Sequence, residues 1–190
     1  MRITGGALRS RNLRAPKGMA TRPTTDRVRE ALFSMLMSRS CIEGARVLDL
    51  YAGTGALGFE ALSRGAARAT FVESARAALL ALRANGTDLG VDDRTSVVTG
   101  NVESVTARLA REGPFDLVFA DPPWALIDQG KVPRALQEVV ARGVLAPGGL
   151  LVMEHSARSA PPELVGLELG ETRRFGDTAI AFYALVAEPQ

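Results

Sequence analysis

The 190-residue chain has one cysteine (Cys41), one histidine, one tryptophan and only two lysines, Lys17 and Lys131. A single cysteine excludes an internal disulfide and any cysteine-based metal cluster. No uncharged apolar run approaches the ~18 residues that a membrane-spanning helix needs. The first dozen residues hold no apolar stretch of signal-peptide length. With 46% hydrophobic and 23% charged residues, the composition is that of an ordinary globular protein. A chain this long buries roughly 70% of its unfolded surface, enough for one self-sufficient domain. The expectation is a cytoplasmic α/β domain that binds no metal, with monomer as the default state.

Positive charge is carried by arginine and is unevenly spread. Residues 1–40 contain nine basic side chains against Asp26 and Glu30, a net +7, which leaves −5 for the remainder of a chain whose total is +2. A basic arm on a mildly acidic body lets a protein reach a polyanion without being basic overall. The clustering makes Arg9, Arg11, Arg22, Arg27 and Arg29 candidate nucleic-acid contacts.

The spacing predicts a helix over 22–38, approached through Pro23 and capped by Thr24, Thr25 or Asp26. Val28, Leu32, Met35 and Leu36 form its apolar stripe, with Arg27, Arg29 and Glu30 off it. Short apolar runs then alternate with helical stretches. Strands are expected at 46–50, 69–72, 96–99, 115–120 and 150–153. Helices are expected at 57–64, at 75–85 closed by Gly86, from Val102, and around 132–140. This alternation means a mostly parallel sheet covered on both faces. Leu167–Leu169 and Thr178–Leu185, separated by 173–177, look like an antiparallel pair on one edge. Residues 1–40 form the arm and its helix, and 41–190 the α/β domain.

Ligands of such a sheet bind outside the carboxyl ends of the strands, where the strand order reverses. Four segments fall there. Asp49-Leu-Tyr51-Ala-Gly53-Thr-Gly55 continues to Gly58 and gives GxGxxG between a strand and a helix, a turn that a backbone ligand can approach closely. Glu73 ends the second strand, 20 positions after Gly53, where a carboxylate can accept both hydrogen bonds of a ribose diol. Together they imply a nucleoside-containing cofactor, either a dinucleotide or S-adenosylmethionine. Asn101, followed by Val102, offers a donor and an acceptor suited to an adenine edge. Asp121-Pro122-Pro123-Trp124 closes the fourth strand. Two prolines force a rigid extended bend there. A carboxylate, a fixed carbonyl and a flat ring so held suit a planar base with an exocyclic amine.

Asp121–Trp124 resembles the DPPY/F/W motif of S-adenosylmethionine-dependent amino-methyltransferases, and Asp49–Gly55 resembles their first cofactor motif. Thr21-Arg-Pro-Thr-Thr-Asp-Arg-Val-Arg-Glu-Ala-Leu-Phe33, with Phe175-Gly-Asp-Thr178, is similar to the RsmD family of ribosomal RNA guanine-N2 methyltransferases, from Ile3 to about Tyr183. The resemblance implies a Rossmann-like class I methyltransferase domain with a seven-stranded sheet. It implies S-adenosylmethionine as cofactor and 16S ribosomal RNA or the small ribosomal subunit as partner. Gly53 and Gly55 are then expected against the methionine and ribose, and Glu73 on the ribose hydroxyls. Asn101 stands where many relatives carry Asp beside the adenine amine. Asp121 through Trp124 are expected to hold the guanine, with Arg22 and Thr24 to Arg29 at the cleft mouth. DPPW alone also admits adenine-N6 enzymes, and glutamine methyltransferases usually have Asn at the position of Asp121. An NAD-dependent oxidoreductase gives no reason for DPPW, and a non-catalytic RNA-binding factor gives none for an intact first motif. His155 has no recognisable partner and is expected to be structural or solvated, and Tyr183 to pack in the core or at the sheet edge.

Overall fold

The computed structural model describes residues 1–16 and 25–186. Five strands, β1 (Arg46–Leu50), β2 (Arg68–Glu73), β3 (Thr95–Thr99), β4 (Phe115–Ala120) and β5 (Leu145–Ser156), run parallel. β6 (Leu167–Phe175) and β7 (Thr178–Leu185) add an antiparallel pair. The seven-stranded order is β3-β2-β1-β4-β5-β7-β6, so the winding reverses between β1 and β4. The inner strands are apolar along nearly their whole length because helices cover both faces.

On one face lie α1 (Asp26–Ser38), α2 (Ala56–Ser63) and α3 (Arg76–Leu89), packed on Val47, Phe71, Phe119 and Phe182. On the other, α4 (Val102–Glu112) and α6 (Lys131–Ala141) cover Leu48, Val72, Val118 and Met153. The short α5 (Trp124–Asp128), which the sequence pattern did not signal, follows directly on the double proline.

Thr25 starts α1: its hydroxyl accepts from the Val28 N–H at 3.3 Å, and Asp26 adds a first-turn acid. Leu32, Phe33 and Leu36 are buried, and Phe33 packs on Phe119 with ring centroids 5.6 Å apart. Each such side chain contributes about 1.5–3 kcal/mol. Residues 1–13 share this core. A bridge pairs Arg2 with Asn12, while Ile3 and Leu13 are buried in the same cluster as Phe33 and Phe59. The arm and helix expected over 1–40 are thus continuous with the domain core in the described residues.

Several element boundaries differ from expectation; the strand expected at 150–153 runs from Leu145 to Ser156. α3 does not close at Gly86 but runs to Leu89 and stops at Gly90. Buried Leu89 adds one more apolar residue to its inner face, and tertiary packing outweighs the cost of a helical glycine. β6 does not end at Leu169 but continues through Arg173-Arg-Phe175, leaving Gly176-Asp177 as a two-residue hairpin loop. Its outer side is the sheet edge, so charged residues are tolerated there and hide the strand from a hydrophobic pattern. Among the described residues, no helix is long and apolar enough to cross a membrane.

Candidate active site

The parallel strands end at one level. Leu50 pairs with Val72 and with Ala120, so Glu73 and Asp121 flank Tyr51 on either side. Two strand spacings, ~10 Å, separate them. Thr99 pairs with Glu73, and Ala120 with Met153, which extends the row to Gly100 and Glu154. This row lies at the switch point, where an open α/β sheet offers a crevice.

The turn after β1 is built by three glycines with different tasks. At Gly55 (φ +83°) a Cβ falls 2.4 Å from Leu82 Cδ1 and 2.5 Å from the Phe59 ring, and at Gly58 it falls 2.3 Å from the Phe71 ring. These two glycines serve the close packing of loop and helix, since in each the Cβ direction is filled by protein. Gly53 (φ +56°) differs, since a Cβ there meets nothing within 4 Å. Its N–H donates to Glu73 Oε2 at 2.8 Å.

Glu73 Oε1 also accepts from the Ser74 and Ala75 N–H groups, both at 2.7 Å. Backbone donors therefore fill three of the roughly four acceptor sites of a carboxylate. Glu73 keeps acceptor capacity beyond these three backbone bonds. Asp49 is 1% exposed and accepts from the Gly58 N–H at 2.9 Å. Burial pushes its carboxyl well above the usual carboxylate range; the Gly58 hydrogen bond opposes this, and the charges of Asp121 and Glu73 add to it. Asp49 orders the turn from beneath, and the acids around it favour a cationic ligand.

Tyr51 has φ +59°, unusual for a residue with a side chain, and its buried hydroxyl has no hydrogen-bond partner among the described residues. Burial raises its pKa far above the ordinary value. Asn101 is exposed at the N-terminus of α4, its side chain making no capping hydrogen bond, and Val102 is buried behind it. Space beside Gly53, an acceptor at Glu73, an orphaned hydroxyl at Tyr51 and a free amide at Asn101 fit a nucleoside with a cationic arm.

At the end of β4, Asp121 is half-buried, Pro122 buried, Pro123 exposed and Trp124 half-buried. The Pro123 carbonyl accepts from the Leu126 N–H at 2.9 Å, starting α5, while the Pro122 carbonyl makes no hydrogen bond among the described residues. Glu154 lines a small cavity beside Ala120 with Leu57, Phe119 and Ile180. Sequence reasoning passed over Glu154 for its neighbour His155. Strand alternation could have found it, since only one of two adjacent side chains faces α2. His155 is 1% exposed, its Nδ1 lies 2.9 Å from the Ser156 carbonyl, and its Nε2 has no partner among the described residues. Tyr183 is buried and donates to the Pro162 carbonyl at 2.9 Å.

The arginines of the arm separate into kinds. Arg9 and Arg27 are exposed. Arg11, also exposed, donates to the Asp88 carbonyl. Arg22 and Thr24 lie outside the described residues. Arg29 corrects the expectation: it is 0% exposed, bonded to Glu60 Oε2 at 3.4 Å, to Asp26 Oδ1 at 2.9 Å and to the Arg2 carbonyl. A guanidinium so enclosed cannot reach a phosphate.

A sheet wound in this order, with a glycine turn after β1, an acid after β2 and Asp-Pro-Pro after β4, defines an S-adenosylmethionine-dependent methyltransferase. A family model described as conserved hypothetical protein 95 matches residues 1–184. The small subunit ribosomal RNA methyltransferase D of Escherichia coli K12 is 40% identical over 163 residues, 85% of this chain and 78% of that protein. YlbH of Bacillus subtilis is 36% identical over 96% of this chain and 98% of its own. Among solved structures, Escherichia coli yhhF superposes with a TM-score of 0.83 at 37% identity, covering 99% of both chains. A hypothetical protein of Thermus thermophilus gives 0.82 at 33%, covering 98% of this chain and 99% of the other. The chain belongs to the RsmD family.

Proposed function

We propose that the protein transfers a methyl group from S-adenosylmethionine to the exocyclic N2 amine of a guanine in 16S ribosomal RNA, in the cytoplasm and as a monomer. The observation that carries this reading is the turn at the end of β4. It brings Asp121 and Pro122, whose carbonyl makes no hydrogen bond among the described residues, to the strand end at the switch point, with Trp124 opening α5 just after. The relatives named small subunit ribosomal RNA methyltransferase D support ribosomal RNA as substrate. Arg9, Arg11 and Arg27 are exposed on the N-terminal elements and serve as phosphate contacts; Arg22 and Thr24 belong to the same set by resemblance.

The cofactor supplies an electrophilic methyl on a sulfonium. Gly53, Glu73, Tyr51 and Asn101 hold its nucleoside portion, with Asp49 and Val102 supporting the turn and the helix start. Guanine N2 is a poor nucleophile because its lone pair is delocalised into the ring. Asp121 and the Pro122 carbonyl accept its two N–H hydrogens, which draws the nitrogen toward tetrahedral geometry and localises the pair. Trp124 stacks on the base, and Pro123 fixes the bend. Positioning of this kind lowers a barrier by several kcal/mol. Asp121 takes the departing proton after transfer.

The test is methyl transfer from labelled S-adenosylmethionine to small ribosomal subunits that lack guanine-N2 methylation, followed by digestion to nucleosides. Label in N2-methylguanosine is the expected result. Label in N6-methyladenosine refutes the guanine assignment while keeping the amine chemistry.

A further inference from the structure

Asn85 is a fully buried polar side chain on α3 with no part in the chemistry above, at 0% exposure. Its Oδ1 accepts from the Arg14 N–H at 2.7 Å, and its Nδ2 donates to the Arg14 carbonyl at 3.2 Å and to the Thr54 carbonyl at 3.0 Å. Both amide hydrogens are spent, and the flipped amide would set donor against donor at the Arg14 N–H. Thr54 lies between Gly53 and Gly55. The cofactor turn is thus pinned at two points: the Gly53 N–H on Glu73, and the Thr54 carbonyl on Asn85. The Gly53–Thr54 peptide hangs between these pins, beside the open space at Gly53.

The same amide grips the N-terminal segment, which is tied down elsewhere by contacts remote from the turn. The Thr4 and Gly5 N–H groups donate to Glu60, and the Leu8 N–H donates to Ser63 Oγ at 2.9 Å. Among the described residues, the Arg14 end alone is joined to the turn through a shared hydrogen-bond partner.

We propose that Asn85 is a positioning residue for cofactor binding, and that through it the Arg14 end of the N-terminal segment sets the affinity of the turn for S-adenosylmethionine. A buried amide that loses one partner leaves the others misaligned or unsatisfied. Loosening Arg14 therefore frees Thr54, although Arg14 lies outside the row of strand ends that holds the cofactor. By thermodynamic reciprocity, cofactor binding must also tighten the Arg14 contact.

The experiment uses the full chain and S-adenosylhomocysteine without RNA, so failure of the guanine reading leaves it unaffected. Calorimetry gives the Kd, and thermal unfolding shows that each variant is folded. Arg14→Ala, which removes only the guanidinium paired with Asp88, is the control and should leave the Kd within twofold. Asn85→Ala removes the hub, and Arg14→Pro removes that guanidinium together with the N–H that donates to Asn85. Both are expected to raise the Kd about tenfold. Ser63→Ala, which loosens the segment at Leu8, lowers the Tm but leaves the Kd within twofold. In the unaltered protein, S-adenosylhomocysteine is expected to slow hydrogen exchange at the Arg14 N–H, a readout that depends on no variant folding. Unchanged Kd in folded Asn85→Ala, or unchanged Arg14 exchange on ligand addition, overturns the proposal. A Kd raised in Asn85→Ala but not in folded Arg14→Pro overturns the role of the segment.

Discussion

Glu60 is a heavily bonded side chain in the interior, and removing its charge should be costly. It is 0% exposed on α2 and accepts from the Thr4 N–H (2.8 Å), Thr4 Oγ1 (2.7 Å), the Gly5 N–H (2.9 Å), Arg64 Nε (2.8 Å) and Arg29 Nε (3.4 Å). Glu60→Gln keeps the volume but turns one acceptor into a donor facing donors. It also leaves Arg29, at 0% exposure, with only part of its compensation. Breaking a buried pair in this way costs ~3–5 kcal/mol, a large share of the roughly 5–15 kcal/mol that holds a domain folded. For a chain of this length the Tm should fall by roughly 10 °C. Thermal unfolding by circular dichroism, with urea titration at 25 °C, measures it. Replacing both partners with Met should recover part of the loss, since the stranded charge leaves with its partner. A loss below about 1 kcal/mol in Glu60→Gln would refute the view that this hub anchors the N-terminal segment.

Asp121→Ala should lower kcat by roughly 10²–10³-fold, as for loss of one aligned transition-state hydrogen bond, while calorimetry with S-adenosylhomocysteine shows a Kd near that of the unaltered protein. Gly55→Ala should lower the Tm strongly, because its Cβ meets Leu82 and Phe59 at φ +83°; Gly53→Ala should weaken S-adenosylhomocysteine binding with a smaller Tm change, since its Cβ meets only open space. Equal Tm losses in the two would contradict their different roles. Burial lowers the pKa of His155 below its ordinary 6.5, the Ser156 hydrogen bond opposes this, and Arg174 adds to it. The unfolded chain then binds its proton first, so the contribution of His155 to stability is complete above pH 6.5 and is lost as pH falls toward the folded value. Urea unfolding at about pH 7.5 and about pH 5.5 should show a larger loss for the unaltered protein than for His155→Leu; equal losses would disprove it.

The positions of Gly53, Glu73, Asn101 and Asp121 at successive strand ends were legible because each is local. A glycine turn, a strand-terminal acid and a double proline constrain the chain wherever they occur. The alternation of strand and helix followed from apolar runs of strand length. Arg29 was misplaced for an equally physical reason. Its sequence neighbours put it off the apolar stripe, and nothing local announces that Glu60, 31 positions away, encloses it with opposite charge. The extensions of α3 and β6 were hidden because a helical glycine and an edge strand's charges are decided by what packs against them.

The sequence by itself determined the class of fold, the glycine turn after β1 and the double-proline bend after β4, since these depend on backbone geometry within a few residues. Tertiary structure alone decided that the winding reverses between β1 and β4, that two of three glycines serve packing, and that Glu73 is already engaged by three backbone donors. It also decided that Asn85 joins Arg14 to Thr54, positions 71 and 31 residues away. Hydrogen bonds and charge pairs of that range carry no periodicity, so only the folded chain reveals which groups they unite.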